Sequence, residues 1–373
     1  MTDQTEAGAT LLEPVTRDSL DGKIANGDRI TDLDAAWLYR EASLDDLRRW
    51  ATSVKSRFHD PQTATYLIMR IINYTNVCVA LCDYCSFYEL PKSSKGYVLT
   101  KQAIFDKIDE VLALGGDFVG FNGGHNPRLS VDWYADLFAS IRNKYGDSIE
   151  FYALTVAELI YIARHCKMTP FEAASRLREA GVRWITGGGA EILTNEFRAR
   201  HSPLKYTADE YIDGQKQILQ AGVRTTATMV VGFDESIEER IEHLRRCRNL
   251  QDETNGLFSF LTWTYKAFGN KLGGEEISGE DYLRHLAVCR IYLDNVRMIR
   301  TSVLTQNANA LTGLHYGAND FDIPLEDEVT QKAGATIERD IESVLAAARN
   351  EGFKLEFRPM ALTTHTAWPT AHP

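Results

Sequence analysis

The sequence predicts an α/β chain folded as a complete or partial (β/α) barrel of the TIM type, with an N-terminal helical cap. Three observations carry that expectation. Seven short runs rich in β-branched and aromatic residues recur: TYLIMRIIN (65–73), FVGFNGG (118–124), IEFYAL (149–154), VRWITGGG (182–189), TTATMVVGF (225–233), LFSFLTWTY (257–265) and VRMIRTSVL (296–304). Amphipathic segments lie between most of them, and strands separated by helices imply parallel pairing, because a parallel neighbour is reached only by a long crossover. Several helical segments stop at a glycine (Gly115, Gly181, Gly222), the residue best able to take the positive φ of a helix C-terminus. An open doubly wound sheet satisfies the same pattern, since periodicity does not distinguish an open sheet from a closed one.

In chain order, residues 1 to about 16 are polar and aperiodic and are expected to fray. From Thr31 the stretches 33–39 and 44–54 carry apolar residues at helical spacing, and Ser43 followed by Asp46 marks the start of the second. Helices are then expected at 101–114, 133–145, 170–180, 208–221 and 237–250. These boundaries divide the chain into an N-terminal helical extension or cap (1–60), a barrel (61–335), and a C-terminal helix and tail (336–373), with TTHTAWPTAHP as a loose end.

Composition narrows the class. With 373 residues, 44% hydrophobic and 25% charged, the chain is an ordinary globular one, which excludes disordered and fibrous classes. A formal net charge of −11 offers no global field for phosphate backbones, so neither nucleic acid nor an anionic membrane is an expected partner. No basic-then-apolar leader pattern shows, and no apolar run approaches the roughly 18 to 20 residues of a spanning helix. A cytoplasmic, reducing location is expected, where thiols stay free to bind metal.

Three of the six cysteines, Cys78, Cys82 and Cys85, fall within eight residues just after the first strand run. Cys166, Cys247 and Cys289 are scattered through helical patterns and read as small buried hydrophobes. Soft thiolates at C-x3-C-x2-C spacing select iron-sulfur or zinc. A structural zinc site wants a fourth protein ligand, and the nearest histidine in sequence is His59. Three ligands on a four-iron cluster leave one iron open, which points to catalysis more than to electron storage.

This spacing, with Tyr84 just before the third cysteine, resembles the radical S-adenosylmethionine (SAM) superfamily. The resemblance implies that Cys78, Cys82 and Cys85 hold a [4Fe-4S] cluster whose open iron chelates S-adenosyl-L-methionine, and that the backbone near Tyr84 lies close to the adenine. It further implies that Gly123 and Gly124, in the second strand's FNGGH, occupy the place that receives the cofactor's ammonium group. Glu191, in GGGAE, is placed to bond a ribose hydroxyl, and Gly232, closing MVVG, to offer adenine a backbone contact. Taken singly, each glycine run also reads as a tight βα turn; all lie at C-terminal strand ends, where barrel active sites are built.

Over a longer span, roughly residues 35 to 334, RIINYTNVCVALCDYCSFY, EAASRLREAGVRWITGGGAEIL, RTTATMVVG, ERIEHLRRCRNLQDETNG and YGAND resemble the futalosine-pathway and deazaflavin-precursor branch. Within it the likeness is nearest to the dehypoxanthine futalosine cyclase family of menaquinone biosynthesis, on 225–229 and 251–254. That implies a futalosine-derived small-molecule substrate and an external electron donor such as flavodoxin or ferredoxin. The implied reaction removes the C4′ hydrogen by a 5′-deoxyadenosyl radical, adds the carbon radical to the arene, and ends with loss of an electron and a proton. Aminofutalosine synthase and deazaflavin-type enzymes are the alternatives within the class, and an iron-sulfur electron carrier is the alternative outside it.

Such chemistry needs water excluded, a task expected of the N-terminal cap and long βα loops. His125 is a candidate proton acceptor or substrate anchor, or else a histidine satisfied in a loop. Thr226 and Thr228 point the same way along one strand and either line the lumen catalytically or pack as β-branched residues. Arg198, Arg200, His201 and Lys205 read first as a solvated helix face, and second as a patch for a benzoate-type carboxylate. Tyr316, Asn319 and Asp320 of YGAND either close the barrel floor or touch substrate. The chain departs from the cyclase pattern at Lys266–Asn270, at Asn126, and at 321–328 (FDIPLEDE), where relatives run into a Leu-Gly-rich turn with Met and paired glutamates. These departures bear on the exact substrate and leave the cofactor assignment untouched.

Overall fold

The computed structural model describes residues 14–363; the chain ends at 1–13 and 364–373, including nearly all of the expected loose tail, lie outside the described residues. Eight parallel strands close into a barrel: β1 (Thr63–Ile72), β2 (Phe118–Phe121), β3 (Glu150–Thr155), β4 (Trp184–Thr186), β5 (Arg224–Val231), β6 (Leu257–Thr264), β7 (Met298–Ser302) and β8 (Asp320–Pro324). All seven expected runs are strands. Closure is made by β1, which pairs with β8 from Thr65 to Met69 and with β2 from Met69 to Ile72. A ninth strand, β9 (Lys354–Phe357), joins the lower end of β1 at Thr63–Tyr66, where β2 has not yet begun to pair.

The eighth is the barrel strand that periodicity did not reveal. DFDIP falls in the segment read as a departure near substrate loops, yet all five of its residues are buried. Side chains alternate across a strand. Phe321 and Ile323 face the helical layer, and Asp320 and Asp322 face inward. A strand whose inner face is acidic does not look like a buried strand.

β1 shows the ordinary alternation. Leu67, Met69 and Ile71 belong to the core inside the barrel, whereas Ala64, Ile68 and Ile72 pack in the larger core between barrel and helices. Ser or Thr hydroxyls accept the N3 amide and start the outer helices at Thr100, Ser130, Thr155, Thr169, Thr207, Ser236 and Ser278. The starts at 101, 170, 208 and 237 are the expected ones, that at Val131 comes two residues early, and Val156–His165 and Gly279–Tyr292 are helices the sequence reading did not include. Gly115, Gly181 and Gly222 take φ of 80°, 90° and 80° just past helix ends.

The N-terminal extension forms α1 (Arg17–Asn26), α2 (Asp32–Arg40) and α3 (Leu44–Lys55), the first capped by Thr16 in the stretch expected to fray. α2 and α3 pack on the outer helix Gly279–Tyr292, and α2 also on Ile237–Thr254. Arg29 anchors them with ion pairs to Asp252 (2.6 Å) and Asp294 (2.9 Å), and Tyr39 bonds His285 Nδ1 at 2.8 Å. The extension clothes the barrel's flank.

Candidate active site

β1 hands the chain to a loop that folds back on itself. Thr75 bridges Val98 and Val77 bridges Glu89. The Asn76 amide spans from Lys95 O (3.0 Å) to Tyr97 N (2.8 Å), and Thr75 Oγ1 donates to Tyr97 O at 2.6 Å. The loop stapled in this way carries Cys78, Cys82 and Cys85, which all line one cavity of about 250 Å³ at the C-terminal end of the barrel. Leu81, with φ of 52°, turns the chain between the first two.

The donor set fits an iron-sulfur cluster. Cys78 Sγ accepts N–H groups from His125 (3.2 Å) and Ala80 (3.4 Å). Burial pushes all three thiols up, Cys82 to about 12, against the pull of the Lys205 ammonium. Thiols in such surroundings ionise readily only with a cation among them, which a bound iron-sulfur cluster would supply. The loop also needs a bare backbone beneath it. A Cβ on Gly124 would sit 2.3 Å from Val77 O and 2.7 Å from Cys78 Cβ, and one on Gly123 would sit 2.7 Å from the Tyr74 ring.

A second cavity of about 230 Å³ fills the barrel lumen below. Asn122, Thr155, Gly188, Glu191 and Trp263 line both, so thiols and lumen form one continuous chamber. Among the described residues, none before Met69 lines either cavity. Enclosure therefore falls to loop residues such as Phe87, Phe233 and Tyr265 and to Val329 in the short helix Glu328–Lys332, and the N-terminal helices take no part in it.

Of the residues singled out from sequence, Tyr84, Gly123, His125 and Glu191 line the thiol cavity, and Thr226 and Thr228 line the lumen. Gly124 and Gly232 line neither. Gly232 takes φ of 96° against Ile277 and its N–H donates to Glu235 Oε1 at 2.9 Å, while Val230 is the residue of that strand end that reaches both cavities. His125 stacks on Tyr161 (4.6 Å, 13°), and burial pushes its imidazole down to about 3, so it stands neutral. The threonine hydroxyls serve the β4 turn: Thr226 Oγ1 accepts from Gly187 N at 3.1 Å, and Thr228 Oγ1 donates to Gly187 O at 2.6 Å.

The basic group after β4 corrects the reading as a solvated face. The Arg198 and Lys205 side chains are only 3% and 6% exposed. Their charges are spent on the GGGAE turn. Lys205 Nζ reaches Gly189 O (3.2 Å) and Glu191 Oε2 (3.3 Å), and Arg198 Nη1 donates to Ala190 O at 2.9 Å. Glu191 itself holds φ of 41°, a left-handed conformation kept by these contacts. Only Arg200 of the four is well exposed, paired with Glu239 at 3.0 Å; His201 ties Asp83 of the cysteine loop (3.0 Å) to Asp234 (2.8 Å).

Sequence reasoning missed two acidic groups. Glu158, buried on the thiol cavity, accepts from Tyr74 OH (2.5 Å), Gly123 N (2.9 Å), Thr155 N (2.9 Å) and Thr155 Oγ1 (2.6 Å). Burial pushes its carboxyl up. The Thr155-x-x-Glu158 capping box was the available signal. The other is Asp322, which joins Asp320, Arg300 and Arg358 in a lumen set drawn from β7, β8 and the C-terminal segment. Asn319 and Asp320 of YGAND hold the barrel floor, through Ile299 N (2.9 Å) and the Arg300 and Arg358 ion pairs (2.8 and 2.6 Å).

Comparison with known proteins gives two family matches: the radical SAM superfamily over residues 72–247, and the CofH/MqnC C-terminal region over 254–369. A cyclic dehypoxanthine futalosine synthase of Halalkalibacterium halodurans is 35% identical over 340 residues, covering 90% of this chain and 92% of that protein. The Streptomyces coelicolor protein of the same name is 38% identical over 319 residues, covering 84% and 80%. Among solved structures, methylornithine synthase superposes with a TM-score of 0.69 at 19% identity over 90% of this chain and 97% of that one, a likeness of fold.

Proposed function

We propose that this chain, which belongs to the radical SAM superfamily, converts dehypoxanthine futalosine to cyclic dehypoxanthine futalosine in the menaquinone route of its relatives. The observation that carries the reading is that the three-thiol cavity adjoins the barrel lumen, with lining residues in common, in a space of the size of a small substrate. Cys78, Cys82 and Cys85 would hold the [4Fe-4S] cluster. When bound, that cluster and S-adenosyl-L-methionine supply the 5′-deoxyadenosyl radical.

The remaining work belongs to the chain's own side chains. Lys205 and Arg198 hold the GGGAE turn so that Gly188 and Glu191 stand at the cavity wall, Glu191 placed for the ribose hydroxyl that the resemblance assigns to it. Thr226 and Thr228 fix the β4 turn that presents them. Leu261, Trp263 and Met69 offer the arene an apolar wall, and the closed lumen keeps water from a reactive carbon centre. A flavodoxin- or ferredoxin-type donor is the proposed electron source, in the cytoplasm; no helix among the described residues is long and apolar enough to cross a membrane.

The test is anaerobic reconstitution with iron and sulfide, followed by incubation with S-adenosyl-L-methionine, dithionite and substrate deuterated at C4′. The expected result is cyclised product by mass, with deuterium in 5′-deoxyadenosine. Cofactor cleavage without product would instead favour a paralogue acting on another aryl or nucleoside substrate. A redox-active cluster indifferent to the cofactor would sink both.

A further inference from the structure

The lumen carries polar groups that the reaction just described leaves idle. Tyr152 on β3 is 5% exposed and lines the chamber, and its hydroxyl is buried without a hydrogen-bond partner. A buried hydroxyl left unpaired is costly, so such a group usually marks a place that something else completes. Asp322 on β8 lines the same chamber and is fully buried. Its carboxylate accepts from Ser302 Oγ at 2.9 Å and Arg300 Nη2 at 3.2 Å, two bonds on a group that can accept about four. The two residues are close enough for Asp322 and Arg300 to act electrostatically on the Tyr152 phenol.

We infer that Tyr152 and Asp322 form a subsite for the neutral, hydroxylated sugar part of the substrate. Charge decides the class. Arg300 is engaged by Asp320 at 2.8 Å as well as by Asp322, and Arg358 grips Asp320 at 2.6 and 3.0 Å. Two guanidiniums thus face two carboxylates, leaving no uncommitted cation for an anionic group, which would instead meet the open lone pairs of Asp322. An alcohol suits both sides: it donates to Asp322 and accepts from Tyr152. The arene carboxylate would then lie away from this end of the chamber. Asp322 sits in the FDIPLEDE stretch where the chain departs from its resemblance to the cyclases, so the subsite is a specificity feature outside the shared machinery.

The inference rests on the substrate reading above, and the experiment separates the two. Dehypoxanthine futalosine and analogues lacking single ribose hydroxyls are titrated calorimetrically into the reconstituted enzyme, its Tyr152→Phe variant and its Asp322→Asn variant. Tyr152→Phe removes a hydroxyl that no other protein group holds, so the fold stays intact. Each variant is expected to weaken the parent compound about 5- to 30-fold. For one deoxy analogue the same substitution is expected to change affinity less than about 2-fold, because the partner hydroxyl is already gone. Equal losses on every analogue, or a loss that follows removal of the arene carboxylate, would overturn the subsite while parent binding upholds the substrate reading. If the wild-type enzyme does not bind the parent compound, the substrate reading falls and the subsite with it.

Discussion

Replacing Gly124 by alanine tests how the cysteine loop is seated. The added Cβ would lie 2.3 Å from Val77 O, 2.9 Å from Val77 C and 2.7 Å from Cys78 Cβ. Two of these are backbone atoms, which no rotamer change moves. Relief needs a shift of about 1 Å between the β2 end and the first cluster cysteine, and overpacking of this kind costs about 1–3 kcal/mol. At about 2 cal/mol/K of unfolding entropy per residue, a chain of this length loses only about 1–4 °C of Tm. The local effect is larger, because a cost of 1.4 kcal/mol is a factor of about ten in the population of the correctly seated loop. Gly120 on β2, four residues earlier, is the control: its Cβ would meet nothing closer than 3.5 Å. Iron and sulfide per chain and the visible charge-transfer absorbance, measured after identical anaerobic reconstitution, should fall several-fold in Gly124→Ala and stay at wild-type level in Gly120→Ala. Full iron loading with unchanged Tm in Gly124→Ala would refute the argument that bare backbone seats the loop.

Other expectations follow from the same geometry. Alanine at Cys78, Cys82 or Cys85 should abolish cofactor cleavage, by more than about 100-fold in 5′-deoxyadenosine yield, while circular dichroism stays native. Thr228→Val deletes the 2.6 Å bond to Gly187 O and should cost about 1 kcal/mol in the β4 turn, read as a roughly fivefold fall in kcat/KM that Thr228→Ser restores. Lys205→Met leaves Glu191 and Gly189 O without their ammonium and should weaken S-adenosyl-L-methionine about tenfold or more in equilibrium binding to the reconstituted enzyme. Lys55 gives a pH signature: burial pushes its ammonium down to about 8, with one hydrogen bond to Leu314 O at 3.2 Å. Between pH 8 and the usual 10.5 the unfolded chain binds the extra proton, so wild-type stability from this group rises with pH across that window. Lys55→Met should therefore be more stable at pH 7 by about 1–3 kcal/mol in denaturant titrations, with the gain shrinking toward pH 10. A pH-independent difference would contradict the assignment.

Much of the fold was legible because its causes are local. Strand runs at 65–73 through 296–304 announce themselves by β-branched residues, and one helix start by Ser43 three residues before Asp46. β8 was not legible, since its inward face carries Asp320 and Asp322, which are tolerable in a barrel only because Arg300 from β7 and Arg358 from beyond the barrel arrive to pair with them. The site divides the same way. Cys78, Cys82 and Cys85 are neighbours in sequence and were read directly, as was the Gly123–Gly124 end of β2. Glu158, Tyr152 and the burial of Lys205 depend on which elements face them, and no local pattern encodes that. Gly124, singled out from the sequence for a cofactor contact, makes room in the fold for Val77 and Cys78, a cause that only the tertiary structure supplies.

By itself, the order of residues determined the chemistry: three soft ligands at a spacing suited to a four-iron cluster, at the end of the first of a series of β/α units, in an acidic chain whose partner is a small molecule. Tertiary structure alone decided the surroundings of that chemistry. Closure of β1 onto β8 made a lumen instead of an open sheet, the N-terminal helices went to the flank and left enclosure to the loops, and Tyr152, Arg300 and Asp322 met across strands far apart in sequence. The reason is physical. Metal ligation and capping need only a few consecutive residues to be satisfied, whereas a buried charge or hydroxyl is satisfied by whatever the closed barrel brings opposite it.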